Sequence, residues 1–280
     1  MTSQAPIRTR SWLFTPATRP ERFAKASRAG ADVAILDLED AVAPGDKARA
    51  RTTALEYLTK NPSDGALHAL RINGLDTRAG ISDLDALLGS SAAPDFLVLP
   101  KTETAGHLEI LDRLLTAAGK ATRLIGLIES ARGLAAVEAI ATATPRLAGL
   151  MLGAADMAAD LGATVAWEPL AFVRCRVIAA CALAGAVSVD SPYFDLHDEP
   201  GLKREVNGAV TFGFSAKAAI HPAQIGAINA ALTPSADAVK RARAILAENT
   251  KGVGTVDGQM IDEAVARKAR RTLFSAGLEA

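Results

Sequence analysis

Eight short apolar runs, alternating with stretches of helical spacing, constrain this chain more than any other feature. The runs are residues 11–15, 33–40, 67–73, 96–101, 123–130, 150–156, 186–190 and 216–221. Helical spacing is read over 19–29, 46–59, 82–88, 105–118, 133–142 and 175–184, then over 223–231 and 237–248. Runs of this length, bounded by glycine and polar residues, read as buried strands of a parallel sheet. Their alternation with helices implies right-handed crossovers between parallel strands. Eight such units in about 250 residues is the count and size of an α/β chain folded as a (β/α)8 TIM barrel. A doubly wound open sheet is the runner-up, but no strand–GxGxxG–helix fingerprint occurs early in the chain.

The far ends of the runs turn polar. In order they carry Glu39 and Asp40, Arg71 and Asn73, Lys101, Glu129, Asp156, Asp190, then Lys217 and His221. A barrel gathers its strand ends on one rim, which is where such folds place their chemistry. Carboxylates converging in one bowl raise each other's energy unless a cation compensates. Glu39, Asp40, Glu129 and Asp156 beside Arg71 and Lys101 therefore call for a bound cation. All-oxygen ligands with no paired His or Cys point to a hard ion, and Mg²⁺ commonly takes one or two carboxylates plus substrate oxygens. The expectation is that Glu129 and Asp156 share one Mg²⁺, with Mn²⁺ as a substitute. The competing reading makes these acids salt-bridge partners of Arg71 and Lys101.

Other residues carry weaker signals. Gly153, Ala154 and Ala155 precede a helix, where exposed backbone N–H groups suit a substrate carboxylate. Arg71 offers a planar fork to a carboxylate or carbonyl oxygen. Arg19, in the first strand-to-helix loop, is a candidate for a phosphate, against the plainer reading of a solvated arginine. His221 before Pro222 reads as a structural hydrogen bond. His68, His107 and His197 show no metal spacing, and no GxSxG, Walker loop or HExxH occurs.

Formal net charge is +0, so nothing favours nucleic acid or an anionic membrane surface. No run approaches the ~18 apolar residues of a membrane span. Cys175 and Cys181 lie in one apolar stretch and read as two small buried thiols in a reducing compartment. Residues 1–10 lack the apolar region of a signal peptide and are read as a short tail on a cytoplasmic protein. The expected division is a barrel over 1–250 and a segment 251–280. Three glycines between 252 and 258 suggest a mobile connector. Residues 260–274 then have helical spacing, with Arg267, Lys268, Arg270 and Arg271. This last segment is either a solvated helix face or a lid and oligomer contact.

Twelve ordered pieces resemble one family. They run from Arg10-Ser11 with Phe14-Thr15-Pro16, through 37–42 (Asp-Leu-Glu-Asp-Ala-Val), Asp46-Lys47, Arg71-Ile72-Asn73 and Leu99-Pro100-Lys101. They continue with Ile128-Glu129-Ser130, Gly153-Ala154-Ala155-Asp156, Lys217, Ile220-His221-Pro222, Asp257-Gly258 and Met260-Ile261-Asp262. Together they span nearly the whole chain and resemble the citrate lyase β-subunit-like family, within the HpcH/HpaI aldolases and the malyl-CoA or citramalyl-CoA lyases. The resemblance implies a Mg²⁺-dependent barrel that makes or breaks a C–C bond beside an acyl thioester. It implies that Glu129 and Asp156 bind metal, that Arg71 contacts substrate, and that Glu39, Asp40 and Lys101 stand behind them. It also implies that Asp262 is an acid/base delivered by a neighbouring subunit, in a trimer or a hexamer of trimers.

The expected activity is cleavage or formation of a β-hydroxyacyl-CoA such as citramalyl-CoA or malyl-CoA, giving a 2-oxo acid and acetyl-CoA through an enolate. Alternatives are a citrate lyase β subunit acting on a citryl thioester of an acyl carrier protein, a free-acid pyruvate aldolase, and a non-catalytic barrel subunit.

Overall fold

The computed structural model describes residues 8–60, 65–250 and 254–279. Eight parallel strands close in sequence order into a barrel. They are β1 (Ser11–Pro16), β2 (Val33–Asp37), β3 (Leu67–Arg71), β4 (Phe96–Leu99), β5 (Arg123–Ile128), β6 (Leu147–Leu152), β7 (Val187–Asp190) and β8 (Ala216–Ala219). Between them lie α1 (Phe23–Ser27), α2 (Lys47–Thr59), α3 (Arg78–Gly89), α4 (Ala105–Ala117), α5 (Ala131–Ala135), α6 (Val137–Ala141), α7 (Ala154–Leu161), α8 (Ala171–Ala184) and α9 (Glu199–Phe212). Helix α10 (Ile225–Leu232) follows β8. The expected barrel is thus found, and helix α9, between β7 and β8, is an addition to the expected elements.

Strand period sorts the side chains into two cores. Trp12, Ile35, Phe96, Val98, Leu127 and Val189 belong to a cluster made only of strand residues, which fills the lumen. The alternate positions, such as Leu36, Leu70 and Leu97, join helix residues such as Leu55, Leu87 and Leu111 in the layer outside the wall. Successive side chains point to opposite faces of a strand. Asp37, Arg71, Glu129 and Gly153 therefore continue the lumen-facing series of β2, β3, β5 and β6.

Asp190 and Lys217 do not. They are register partners one position off the lumen-facing Val189 and Ala216, so both point outward. Lys217 is 0% exposed, and its Nζ donates to Asp190 Oδ2, Ser191 O and Glu205 Oε1, each at 2.7 Å. Arg174 on α8 donates to Asp190 Oδ1 at 3.1 Å and stacks on Trp167. These two strand-end charges thus bind the wall to α8 and α9 and leave the rim. Asn73 is likewise structural, tied to Leu38 O and Asp83. His221 accepts from the Ala223 N–H, as expected of a structural group. Cys181 is buried, and burial pushes its thiol up to about 12. Cys175 is exposed, correcting the expectation of two buried thiols, because it falls off the inward series Val173, Val177 and Cys181 of α8.

The chain divides into two units, Met1–Ile228 and Asn229–Ala280, a boundary earlier than the expected 250/251. The second unit contains α11 (Ala236–Asn249), β9 (Gly254–Val256), β10 (Gln259–Ile261) and α12 (Glu263–Ser275). The boundary moves because Ala242 and Ile245 of α11 pack with Ile261, Ala269 and Leu273 as one small core. Part of the expected glycine connector is ordered: β9 and β10 pair antiparallel around Asp257 (φ +53°) and Gly258 (φ +76°). Two consecutive positive φ values at Asp-Gly are the signature of a tight hairpin turn. Residues 251–253 of that connector lie outside the described residues.

Breaking the buried charge network has a measurable cost. Asp190→Ala is expected to lower unfolding free energy by about 3–5 kcal/mol, because it strips the shared carboxylate from Lys217 and Arg174. Urea denaturation checks this.

Candidate active site

The C-terminal rim of the barrel holds a chain of charged contacts built by β2, β3, β4 and β5. Arg71, at the end of β3, is buried and donates from Nε and Nη2 to the two Asp37 oxygens, both at 2.7 Å. Its guanidinium carbon lies 4.8 Å from the Phe14 ring centroid, over the ring. Its Nη1 stands 2.8 Å from Glu39 Oε2, an ion-pair approach that lacks hydrogen-bond geometry and leaves Oε2 buried with no donor. The other Glu39 oxygen faces Lys101 Nζ at 3.4 Å. The Lys101 backbone N–H then donates to Glu129 Oε1 at 2.7 Å.

The strand ends are shaped for these contacts. Lys101 has φ +47°, a left-handed conformation that costs a non-glycine residue on the order of 1–3 kcal/mol. Thr102 holds this turn, donating its N–H to Leu127 O and its hydroxyl to Leu99 O at 2.9 Å. On the other side of Glu129, a Cβ built on Gly153 would lie 2.6 Å from Glu129 Cβ and closer still to Oε2. Only a bare backbone fits there.

The electrostatics follow from crowding. Burial raises the Glu129 carboxyl, Glu39 and Asp156 push the same way, and the Lys101 amide and Arg71 pull it back, leaving it at about 8. Glu39 is also raised, first by burial, with Arg71 opposing and Asp40 adding to the shift. Burial alone would lower Arg71, but Asp37 and Glu39 outweigh it and hold the guanidinium charged. Burial disfavours the Lys101 ammonium as well, and Glu39, Asp40 and Glu129 reverse the sign.

The predicted residues thus fall into two groups. Glu39, Arg71, Lys101 and Glu129 touch in sequence. Asp156, exposed in the first turn of α7, acts on Glu129 through space. The exposed Asp40 contributes charge alone. Arg19 is exposed and outside these contacts. The Gly153 N–H is spent on Ile128 O at 3.0 Å, so the anion-seeking amides at this turn are those of Ala154 and Ala155. No side chain caps α7, and the first N–H groups of a helix have no acceptor within it. Asp262 belongs to the second unit, where it caps α12 by accepting the Val265 N–H at 2.9 Å. Asp37 and Phe14, the supports of Arg71, were missed; their period-two continuation of 33, 35, 37 and of 12, 14 was the available signal.

The donor set suits Mg²⁺. Among the described residues no group of three or more His, Cys, Asp and Glu is arranged as a metal cluster, but Mg²⁺ needs only one or two carboxylates with waters or substrate. A Glu129 carboxyl that burial and its acidic neighbours disfavour as an anion is the observation that a nearby cation would explain.

A pH dependence follows. The Glu129 carboxyl titrates near 8 when folded against an ordinary value of 4.5. Its contribution to stability is complete below about 4.5 and is lost as pH rises toward 8. Without metal, the wild-type Tm is expected to fall relative to that of Glu129→Gln as pH is raised through this window. Millimolar Mg²⁺ should restore it in wild type alone, as read by thermal melts.

Comparison with known proteins gives the family of the chain. The family model described as HpcH/HpaI aldolase/citrate lyase matches residues 10–222. An L-malyl-CoA/β-methylmalyl-CoA lyase of Cereibacter sphaeroides is 35% identical across 93% of this chain and 92% of its own. The crystal structure of RipC from Yersinia pestis is 59% identical, with a TM-score of 0.74, over 82% of this chain and 97% of the other. CitE from Mycobacterium tuberculosis, in complex with magnesium, acetoacetate and coenzyme A, is 36% identical with a TM-score of 0.80, over 96% and 98%. With its rim of carboxylates around Arg71 and a family match over most of its length, the chain belongs to the HpcH/HpaI aldolase/citrate lyase family of lyases.

Proposed function

We propose that the chain is a Mg²⁺-dependent carbon–carbon lyase that cleaves or forms a β-hydroxyacyl-CoA of the citramalyl or malyl type. The observation that carries this reading is the Glu129 carboxylate. It is buried and held at Oε1 by the Lys101 amide, in a rim shared with a charged, immobilised Arg71. The magnesium, acetoacetate and coenzyme A bound by the CitE neighbour and the name of the Cereibacter relative support the substrate class.

Glu129 and Asp156 would hold the ion, with Mn²⁺ as a substitute, and Glu39 and Asp40 add negative charge behind them. Bound there, Mg²⁺ supplies a Lewis acid for substrate oxygens. The Ala154 and Ala155 amides receive the substrate carboxylate at the positive end of α7. Arg71 has five N–H donors; those left over by Asp37 and Glu39 would meet the oxygen on which charge develops, on a guanidinium that Asp37 already holds in place. In the cleavage direction a base takes the hydroxyl proton as the C–C bond breaks. A 2-oxo acid departs, pyruvate from a citramalyl or glyoxylate from a malyl substrate, and the thioester remains as its enolate. Asp262 protonates the enolate carbon to give acetyl-CoA, and in the reverse direction it removes that proton. Its Oδ1 accepts from the Val265 N–H, so Oδ2 would be the oxygen that carries the proton. A neighbouring copy in a trimer or hexamer would deliver it. Arg19 would meet a phosphate of the CoA.

Glu129→Ala and Asp156→Ala are expected to abolish turnover of both CoA substrates while the circular dichroism spectrum is retained. Full turnover by either variant in excess EDTA would reject the metal assignment. Asp262→Asn is expected to slow deuterium exchange into the acetyl-CoA methyl group by about 10²-fold or more; exchange at the wild-type rate would remove Asp262 from the chemistry. Turnover of citryl-carrier protein or of the free hydroxy acid, without activity on CoA thioesters, would select one of the alternatives.

A further inference from the structure

Glu129 stands between two neighbouring strand ends, and each contributes something a different residue could not. From β4 comes the Lys101 amide, which reaches Oε1 at 2.7 Å. It points there because Lys101 sits at φ +47°, between two anchors supplied by Thr102. From β6 comes the bare Cα of Gly153, packed so closely that any Cβ would collide with the Glu129 side chain. Gly153 is not at positive φ (φ −95°), so its role is clearance and not backbone freedom. The two contacts act on opposite oxygens: Oε1 is tied to β4, and Oε2 is the atom beside Gly153, at the turn that leads to Asp156.

We infer that Lys101 and Gly153 are positioning residues that clamp Glu129, with the left-handed amide holding Oε1 so that Oε2 faces the β6–α7 turn and Asp156. The inference rests on the metal reading above. The Lys101 ammonium has a separate task. It faces Glu39 Oε1 at 3.4 Å, not Glu129, and its own side chain is 48% exposed, so solvent screens its charge. The conformation of residue 101 therefore matters more to Glu129 than its charge does. Strain of this kind persists where the surroundings over-determine it, and here its product is the aim of one N–H bond. Groups that orient a metal ligand commonly account for about 10–100-fold in metal affinity.

The substitutions that separate these roles are Lys101→Asn, Lys101→Val and Gly153→Ala. Asparagine enters the left-handed region readily, and a β-branched residue resists it. Mg²⁺ is titrated calorimetrically into wild type and the three variants, with thermal melts by circular dichroism alongside. Lys101→Asn is expected to bind Mg²⁺ within about fivefold of wild type. Lys101→Val and Gly153→Ala are expected to bind about tenfold or more weakly while still melting cooperatively. Wild-type affinity in either of these two overturns the clamp. So does a loss in Lys101→Asn as large as that in Lys101→Val, which would move the effect to the ammonium. Should Lys101→Val fail to fold, the pair Gly153→Ala and Lys101→Asn decides in the same way. A wild-type chain that takes up no Mg²⁺ overturns the metal reading and the purpose of the clamp with it.

Discussion

A carboxylate withdrawn from water needs a cation, and the upper rim of this barrel is arranged around that requirement. Asp37 has Arg71 as a bidentate partner. Glu39 has Arg71 on one oxygen and Lys101 on the other. Glu129, 4% exposed, has one backbone amide and, among the described residues, no side-chain cation in an ion pair. Burial and its acidic neighbours raise it to about 8. The protein's own cations thus neutralise the back of the rim and leave the front short of positive charge. That imbalance is what the proposed ion would offset, and a saturated salt-bridge network lacks it.

The same barrel contains the saturated case. Lys217 is more deeply buried than any rim residue, yet its ammonium has three acceptors at 2.7 Å, and Asp190 is shared with Arg174. One residue of strand phase separates the two outcomes. Lumen-facing positions deliver Asp37, Arg71 and Glu129 to the mouth, and the alternate positions deliver Asp190 and Lys217 to the helix layer. A list of polar strand ends mixes the two sets, because the ends are alike in composition and differ only in facing.

Much of the rim was legible in advance. Glu39, Arg71, Lys101, Glu129 and Asp156 were all picked out, because a polar residue at the carboxyl end of an apolar run has little reason to be there in a barrel unless it serves the mouth or a buried pair. Asp37 and Phe14 were missed, although the period of β2 and β1 put them on the lumen face. Helix α9 was overlooked too, although Asp198 accepts from Gly201 as its cap and Leu202, Val206 and Ala209 give it a buried face. The Asp257-Gly258 hairpin is masked in the sequence by clustered glycines, a composition that equally suits a flexible connector.

Sequence alone determined the eightfold alternation, the closed barrel it requires, and the residue types at the strand ends, because apolar period and turn residues are local properties of the chain. The tertiary structure alone decided which oxygen of Glu129 the Lys101 amide takes, why Gly153 must lack a side chain, and which charges the wall consumes. Those outcomes depend on contacts between strands far apart in sequence, made only when the barrel closes.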